Sequence, residues 1–288
     1  MSAGRTLVCG VDGSIGSRRA AASAARLSRQ LHRGLVLVHV IPPRPPMPLA
    51  SIPVGAHPVA TSHMQELDRL EADAAFASIQ DEVSGTDAER ITEHGNPADR
   101  LSAVADTRDA DLIVVGTRGA GPARAALLGS VSQELAARGS RPVVIVPDLD
   151  PPAPDGPLAP GPVVCGVDGS EAARDAARVA LCLADGLHAA LTLVSVHTRH
   201  AAGDDTADAL AAMAADAPVR DQVERLATIG DPADALARTA TKRRAALLVV
   251  GSRGRGPVRA ALLGSVSATV TRLAPCPVVI VPPATAAA

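Results

Sequence analysis

The chain has 288 residues, 47% of them apolar, with a single Phe, no Trp, no Tyr and a formal net charge of -2. That length predicts about two domains, and the near-neutral charge argues against a general nucleic-acid binder. No apolar run is long enough to span a bilayer, and Asp12 follows the first apolar segment too soon for a secretory leader, so a cytoplasmic protein is expected. With so few aromatics the cores must be built from Val, Leu, Ile and Ala. Cys9, Cys165, Cys182 and Cys276 form no C-x-x-C pair, which points to buried free thiols rather than disulfides or metal ligands.

Residues 7–14, LVCGVDGS, read as a buried strand running into a turn, and the Ala-rich, Pro-free residues 15–32 as a helix. A second strand is expected at 35–41. Residues 42–58, PPRPPMPLASIPVGAHP, follow; so much proline predicts extended, solvated chain as far as Pro58. This insertion reads as a lid, a partner-binding strip or a tolerated surface loop. A helix is expected over 62–83 and a third strand within 89–94. Gly95-Asn-Pro-Ala-Asp99 marks a helix start, with Asn96 as the cap and Pro97 in the first position. A fourth strand at 110–115 delivers the chain to VVGTRGAGPARAALLGSVS at 114–132, and PVVIVP at 142–147 makes a fifth.

Then the order restarts. Residues 163–170, VVCGVDGS, repeat the first strand and turn, followed by a helix at 171–188, a strand at 191–197, a shorter helix near 205–216 and a strand within 220–229. Gly230-Asp-Pro-Ala-Asp234 repeats the helix start, and a strand at 246–250 leads into VVGSRGRGPVRAALLGSVS at 249–267. That stretch differs from its first copy only at Thr117/Ser252, Ala120/Arg255 and Ala123/Val258. PVVIVP returns at 277–282. The expected domains are 1–148 and 162–288, joined by a Pro- and Asp-rich linker at 149–161, with a frayed C-terminal end.

The duplicated stretch has the spacing Gly116-x2-Gly119-x9-Gly129-Ser130, repeated as Gly251-x2-Gly254-x9-Gly264-Ser265. Strand, glycine loop and helix N-terminus place unpaired backbone N–H groups and the positive end of a helix dipole around an anion. Glycine suits such a loop because it tolerates positive φ and lets backbone approach a phosphate. Ser130, Val131 and Ser132 open the helix in the first copy, as Ser265, Val266 and Ser267 do in the second, and the serines offer hydroxyl donors. A Gly-rich connection with a Ser cap that binds nothing is the alternative. Two near-identical copies, loop included, favour a phosphate cradle built twice.

On these residues the chain resembles the universal stress protein family in its tandem two-domain form, whose G-x2-G-x9-G-[S/T] ATP-binding signature both copies match in full. The resemblance implies an α/β fold of two tandem doubly wound Rossmann-like domains. Each would be a five-stranded parallel sheet of order 3-2-1-4-5 with helices on both faces. In that order the reversal lies between strands one and four, where such sheets bind ligands. Gly10, Val11, Asp12 and Ser14 end strand one and would face Gly116 across the first crevice. Gly166, Val167, Asp168 and Ser170 would face Gly251 across the second. Asp12 and Asp168 read as turn residues, as carboxylates bonding ribose or adenine, or as contacts to a phosphate-bound Mg²⁺; the resemblance favours the nucleoside. Val40 and Val196, ending strand two, would offer backbone groups to the adenine edge. Arg118, Arg124, Arg253 and Arg259 read either as phosphate partners or as solvated side chains.

Other chemistry finds little support. His39 aligns with Ser195, so repetition gives it no shared role, and His197-x2-His200 lacks a third metal ligand nearby. No Ser-His-Asp or Cys-His arrangement and no G-x4-G-K-[ST] is present, and Lys242 is the single lysine, whereas phosphoryl transfer relies on positive charge at the leaving phosphate. Arg-Gly-Arg-Gly without aromatics to stack bases does not point to RNA. The expected function is therefore an ATP-binding stress-response regulator with one site per domain, Mg²⁺ bridging the phosphates, and an unidentified protein partner rather than nucleic acid or membrane. A slow ATP-hydrolysing enzyme and a scaffold with vestigial sites are the alternatives. The two Val-Val-Ile-Val fifth strands are hazardous edges and are expected to pair antiparallel as an intrachain pseudo-dimer, leaving room for a further homodimer.

Overall fold

The computed structural model describes residues 6–43, 57–117, 119, 128–148, 158–197, 223–254 and 263–283. The first half runs β1 (Thr6–Gly10), α1 (Ile15–Leu31), β2 (Gly34–Ile41), α2 (His57–Ala77), β3 (Ala88–His94), α3 (Pro97–Thr107), β4 (Ala110–Gly116), α4 (Ser130–Arg138) and β5 (Val143–Val146). The second runs β6 (Val163–Val167), α5 (Glu171–Gly186), β7 (Leu191–His197), β8 (Val223–Ile229), α6 (Pro232–Arg243), β9 (Leu247–Gly251), α7 (Ser265–Leu273) and β10 (Val278–Val281). The inner strands are almost continuously apolar and almost wholly buried, as strands covered on both faces by helices must be.

The helix starts follow the expected caps. Ser14 and Ser170 accept from the amides of Ser17 and Ala173, both at 3.1 Å. Asn96 accepts from Ala98 and Asp99 at 2.9 and 3.2 Å, and Asp231 from Asp234 at 3.1 Å. Asn96→Ala should therefore cost about 1 kcal/mol, lowering Tm by roughly 2–4 °C, which thermal unfolding followed by circular dichroism would register. An unchanged Tm would deny the cap its role.

One helix departs from expectation at both ends. Proline was to keep the chain extended to Pro58, yet α2 begins at His57, because a proline in the first turn has no intrahelical N–H to lose. The same helix stops at Ala77 rather than reaching residue 83; turns continue it, with the Ile79 amide donating to Phe76 and that of Val83 to Ile79. Residues 44–56 of the insertion, the helix expected at 205–216 and the C-terminal end at 284–288 lie outside the described residues.

As the expected antiparallel pairing of the two fifth strands implies, the two five-stranded sheets join into one ten-stranded sheet in the order β3-β2-β1-β4-β5-β10-β9-β6-β7-β8. Each half keeps the order 3-2-1-4-5 and is parallel throughout. The seam is the antiparallel pair β5–β10, with Val144 opposite Val279. Both valines are fully buried. Joining the halves there leaves β3 and β8 as the outer edges, and these carry Glu89, Arg90, Glu93 and His94, and Glu224 and Arg225, on exposed or half-exposed positions that discourage further strand pairing.

Two apolar layers cover the sheet. Leu7, Leu37, Val144 and Val279 pack with α1, α2 and α5 on one face, and Val36, Ile113, Ile145 and Ile280 with α3, α4, α6 and α7 on the other. Helices of successive crossovers thus leave β1 on one face and return on the other, as right-handed connections require when strand order reverses. Residues 149–157 of the expected linker lie outside the described residues, but its end is not solvated. Leu158 is buried in the first layer, and Gly161 packs so closely that a Cβ there would meet the Arg244 carbonyl at 2.1 Å.

Candidate functional site

The reversal of strand order opens a crevice at the carboxyl ends of the strands in each half. The first, about 350 Å³, is lined by Gly10, Val11 and Asp12 after β1, Val40 at the end of β2, Gly116 and Gly119 after β4, and Gly129, Ser130, Val131 and Ser132 at the start of α4. The second, about 230 Å³, is lined by the equivalent Gly166, Val167, Asp168, Val196, Gly251, Gly254, Gly264, Ser265, Val266 and Ser267, with Arg253 added. Segments more than a hundred residues apart converge in each. Arg118, Arg124 and Arg259 lie outside the described residues.

The floor of each crevice is a helix N-terminus with no cap. The N-cap of α4 is Gly129 and that of α7 is Gly264, in extended conformation, and neither helix has a side-chain cap. The amides of the first three residues of each helix therefore lack both an intrahelical acceptor and a side-chain one. Serine is not the cap that the alternative reading of the motif requires. The Gly129 amide donates to Thr117 and the Gly264 amide to Ser252, at 2.7 and 2.9 Å, closing each loop as a ring.

The glycines are needed for a different reason than the one the sequence suggests. Among the described residues Gly116, Gly129, Gly251, Gly254 and Gly264 do not adopt positive φ; that conformation falls to Gly13 and Gly169, at φ 78° and 79°, in the turns after β1 and β6. Four of the loop glycines are instead places where a Cβ has no room. At Gly116 it would lie 2.7 Å from the Gly16 backbone in α1, and at Gly251 2.9 Å from Ala172 in α5. At Gly119 and Gly254 it would lie 2.3 and 2.8 Å from a carboxylate oxygen of Asp12 and Asp168. The two loops of each crevice are therefore in van der Waals register with one another.

Two expected serine roles also change. Ser14 and Ser170 do not line the crevices; their hydroxyls are the caps of α1 and α5. The Ser132 and Ser267 hydroxyls donate to the carbonyls of Gly116 and Gly251, both at 2.6 Å, so their protons hold the helix to the strand rather than serve a ligand. Ser130 and Ser265 are exposed at the crevice floor. Asp12 and Asp168 accept from the amides of Ser14 and Ser170, which fixes the carboxylates at the rim. The strand thiols Cys9 and Cys165 are buried, which pushes their pKa up to about 12 and keeps them protonated and unreactive.

Some lining residues escape sequence reasoning. Pro97 and Leu101 line the first crevice as Pro232 and Leu236 line the second. These repeat pairs lie in a motif read only as a helix start. Leu101 and Leu236 also dictate glycine at Gly10 and Gly166, where a Cβ would meet a leucine methyl at 3.1 and 2.8 Å. His39 and Glu71 line the first crevice; His39 carried no signal because its repeat partner is Ser195.

The family model for the universal stress protein family matches residues 4–147 and again 161–282. The chain belongs to the universal stress protein family. Its tandem form is shared along the whole length with other universal stress proteins. One from Mycolicibacterium smegmatis is 32% identical, the match covering 96% of this chain and 97% of the relative. One from Mycobacterium tuberculosis is 31% identical over 97% and 98%. A universal stress protein of Archaeoglobus fulgidus of known structure has the same fold, with a TM-score of 0.71, 23% identity and coverage of 96% and 98% of the two chains. In this universal stress protein the crevices are thus the part of a shared fold where its own loops, glycines and carboxylates meet. Among the described residues no helix is long and apolar enough to cross a membrane, and no group of three or more His, Cys, Asp or Glu side chains could hold a metal ion.

Proposed function

We propose that this universal stress protein is an ATP-binding regulator with one nucleotide site in each of two domains, residues 1–148 and 162–288. The observation that carries the reading is the duplicated uncapped helix N-terminus, facing a crevice whose opposite wall is a carboxylate and an apolar strand end. A triphosphate would take the amides of residues 130–132 and 265–267, favoured by the helix dipole. The carboxylates of Asp12 and Asp168 would accept from ribose hydroxyls, and backbone at Val40 and Val196 would meet the adenine edge. Arg118, Arg124, Arg253 and Arg259 would neutralise phosphate charge. A Mg²⁺ suits this arrangement through phosphate oxygens with Asp12 or Asp168 at most, since Mg²⁺ takes few protein carboxylates.

Binding without turnover is the preferred reading because the described lining has no general base repeated in both crevices apart from the rim carboxylates. A regulator of this kind would act by altering its loops for a protein partner in the cytoplasm. The absence of Trp and Tyr makes the test direct, for the protein is nearly transparent at 280 nm. Absorbance at 260 nm of the purified protein, with protein quantified by amino-acid analysis and the nucleotide released and identified by chromatography, should give close to two adenine nucleotides per chain, mostly ATP. Mostly ADP would favour an ATP-hydrolysing enzyme. An empty spectrum that stays empty through a titration with Mg-ATP would favour a scaffold with vestigial sites.

A further inference from the structure

Helix α2 has two apolar stripes, where a surface helix needs one. Ala72, Ala75 and Phe76 form the inner stripe and are buried in the first apolar layer. The outer stripe reads Leu67-x2-Leu70-x3-Ala74-x2-Ala77. All four of its side chains are exposed, Leu67 by 42% and Leu70 by 55%. Of the six large apolar side chains exposed among the described residues, Met64, Leu67 and Leu70 stand on this one helix. Single exposed leucines are ordinary, but apolar residues gathered on one face mark an interaction site. Their spacing of three and four is that of the a and d positions of a coiled coil, the seam that receives a second helix. Met64 also lines a cavity of about 390 Å³ with Ile41, Pro42, Pro43 and His94, which gives room for an apolar side chain from whatever lies on α2.

The charges flanking the seam choose its occupant. With Leu67 and Ala74 at a, and Leu70 and Ala77 at d, the g positions hold Glu66 and Asp73 and the e position between them holds Glu71. Among the described side chains of α2 the carboxylates are Glu66, Asp68, Glu71 and Asp73. Arg69 is the one cation among them, 3.8 Å from Asp73 in an exposed pair that contributes little. A second copy of this chain would set acid against acid, g against e in parallel pairing and g against g in antiparallel pairing. Like charges across an interface oppose association. The same acidic surface turns away nucleic-acid phosphates and anionic lipid headgroups. It fits a helix with Lys or Arg at its own e and g positions.

We propose that the outer face of α2 is the docking site for a partner protein, which lays a basic amphipathic helix along Leu67, Leu70, Ala74 and Ala77. The partner's cations meet Glu66, Glu71 and Asp73, and one of its apolar side chains enters the cavity beside Met64. Ala74 and Ala77 are small, so large side chains fit opposite them. Glu71 also lines the first crevice, so the partner sits against a wall of that crevice. The docking face is present whether or not the crevices hold nucleotide, and its test needs none.

Two fluorescein-labelled synthetic helical peptides test this on the full chain. Both have Leu at a and d; one has Lys at every e and g position and the other has Glu. Like charge keeps each peptide from pairing with itself. Fluorescence anisotropy should show the Lys peptide binding at least about tenfold more tightly than the Glu peptide, with an advantage that shrinks as salt rises. Glu66→Lys combined with Asp73→Lys should reverse the preference. Leu67→Gln combined with Leu70→Gln should weaken the Lys peptide by about tenfold or more, with Tm almost unchanged because both leucines are exposed. Equal binding of the two peptides, binding that neither double variant alters, or no binding of either peptide would overturn the proposal. Dimers in sedimentation that Leu67→Gln with Leu70→Gln abolishes would overturn it in favour of a second copy. Lys-peptide binding that appears only when residues 44–56 are deleted would overturn it in favour of that segment.

Discussion

Val144→Asp and Val279→Asp are each expected to lower Tm by roughly 8–16 °C and to move much of the protein into the insoluble fraction. The two residues face each other across the β5–β10 pair and are fully buried. A carboxylate there has no water and no cation, so it is either ionised at a cost of about 4 kcal/mol or neutralised with its polar group unsatisfied. Total stability of a domain is only about 5–15 kcal/mol, so one substitution removes a large share of it. The damage is also geometric, because opening the pair exposes two Val-Val-Ile-Val edges at once. Thr92→Asp on the exposed edge strand β3 is the control and should stay within about 0.5 kcal/mol of wild type. Unchanged Tm and solubility for both seam variants would mean that the halves are not held together there.

The second large effect should appear in binding and barely in stability. Gly119→Ala and Gly254→Ala place a methyl group 2.3 and 2.8 Å from the carboxylate oxygens of Asp12 and Asp168. Gly254 does not have positive φ, so alanine is tolerated by its backbone, and at both positions the obstacle is the end of an exposed side chain that swings aside. The fold survives and the carboxylate is lost from the rim. A hydrogen bond to a charged group contributes about 1.5–3 kcal/mol, so each variant should weaken its own site by roughly 10- to 100-fold. The double variant should retain little nucleotide through desalting. Full occupancy with an unchanged Kd would remove Asp12 and Asp168 from the proposed contacts.

Repetition made most of the fold legible in the sequence. Strand by strand, the second copy of LVCGVDGS, of the Pro-Ala-Asp helix start and of Val-Val-Ile-Val confirmed that the first copy was an element and not an accident of composition. The caps Asn96 and Asp231 could be read because capping is local chemistry. What repetition could not convey was contact between segments far apart in the chain. Gly116 looks like a flexible loop residue until α1 is packed on it, and Ser132 looks like a ligand donor until its hydroxyl is seen donating to the carbonyl of Gly116. His39 was passed over for the same reason that the glycines were noticed. It differs between the copies, and a comparison of repeats is blind to what one copy does alone.

The seam also sets a timetable for synthesis. β5 is complete at Val146, but its partner β10 follows about 130 residues later. At about 5–20 residues per second, the first half waits roughly 7–26 seconds on the ribosome with a bare, fully apolar edge. Because β5 and β10 have the same four residues, the edge of one nascent chain matches that of its neighbour on the same messenger as well as it matches its own missing strand. Every copy of this protein therefore begins in a race between pairing with itself and pairing with a stranger. Slow translation of the second half, or crowded ribosomes, would tilt that race toward exchanged and aggregated chains without any change in the finished fold.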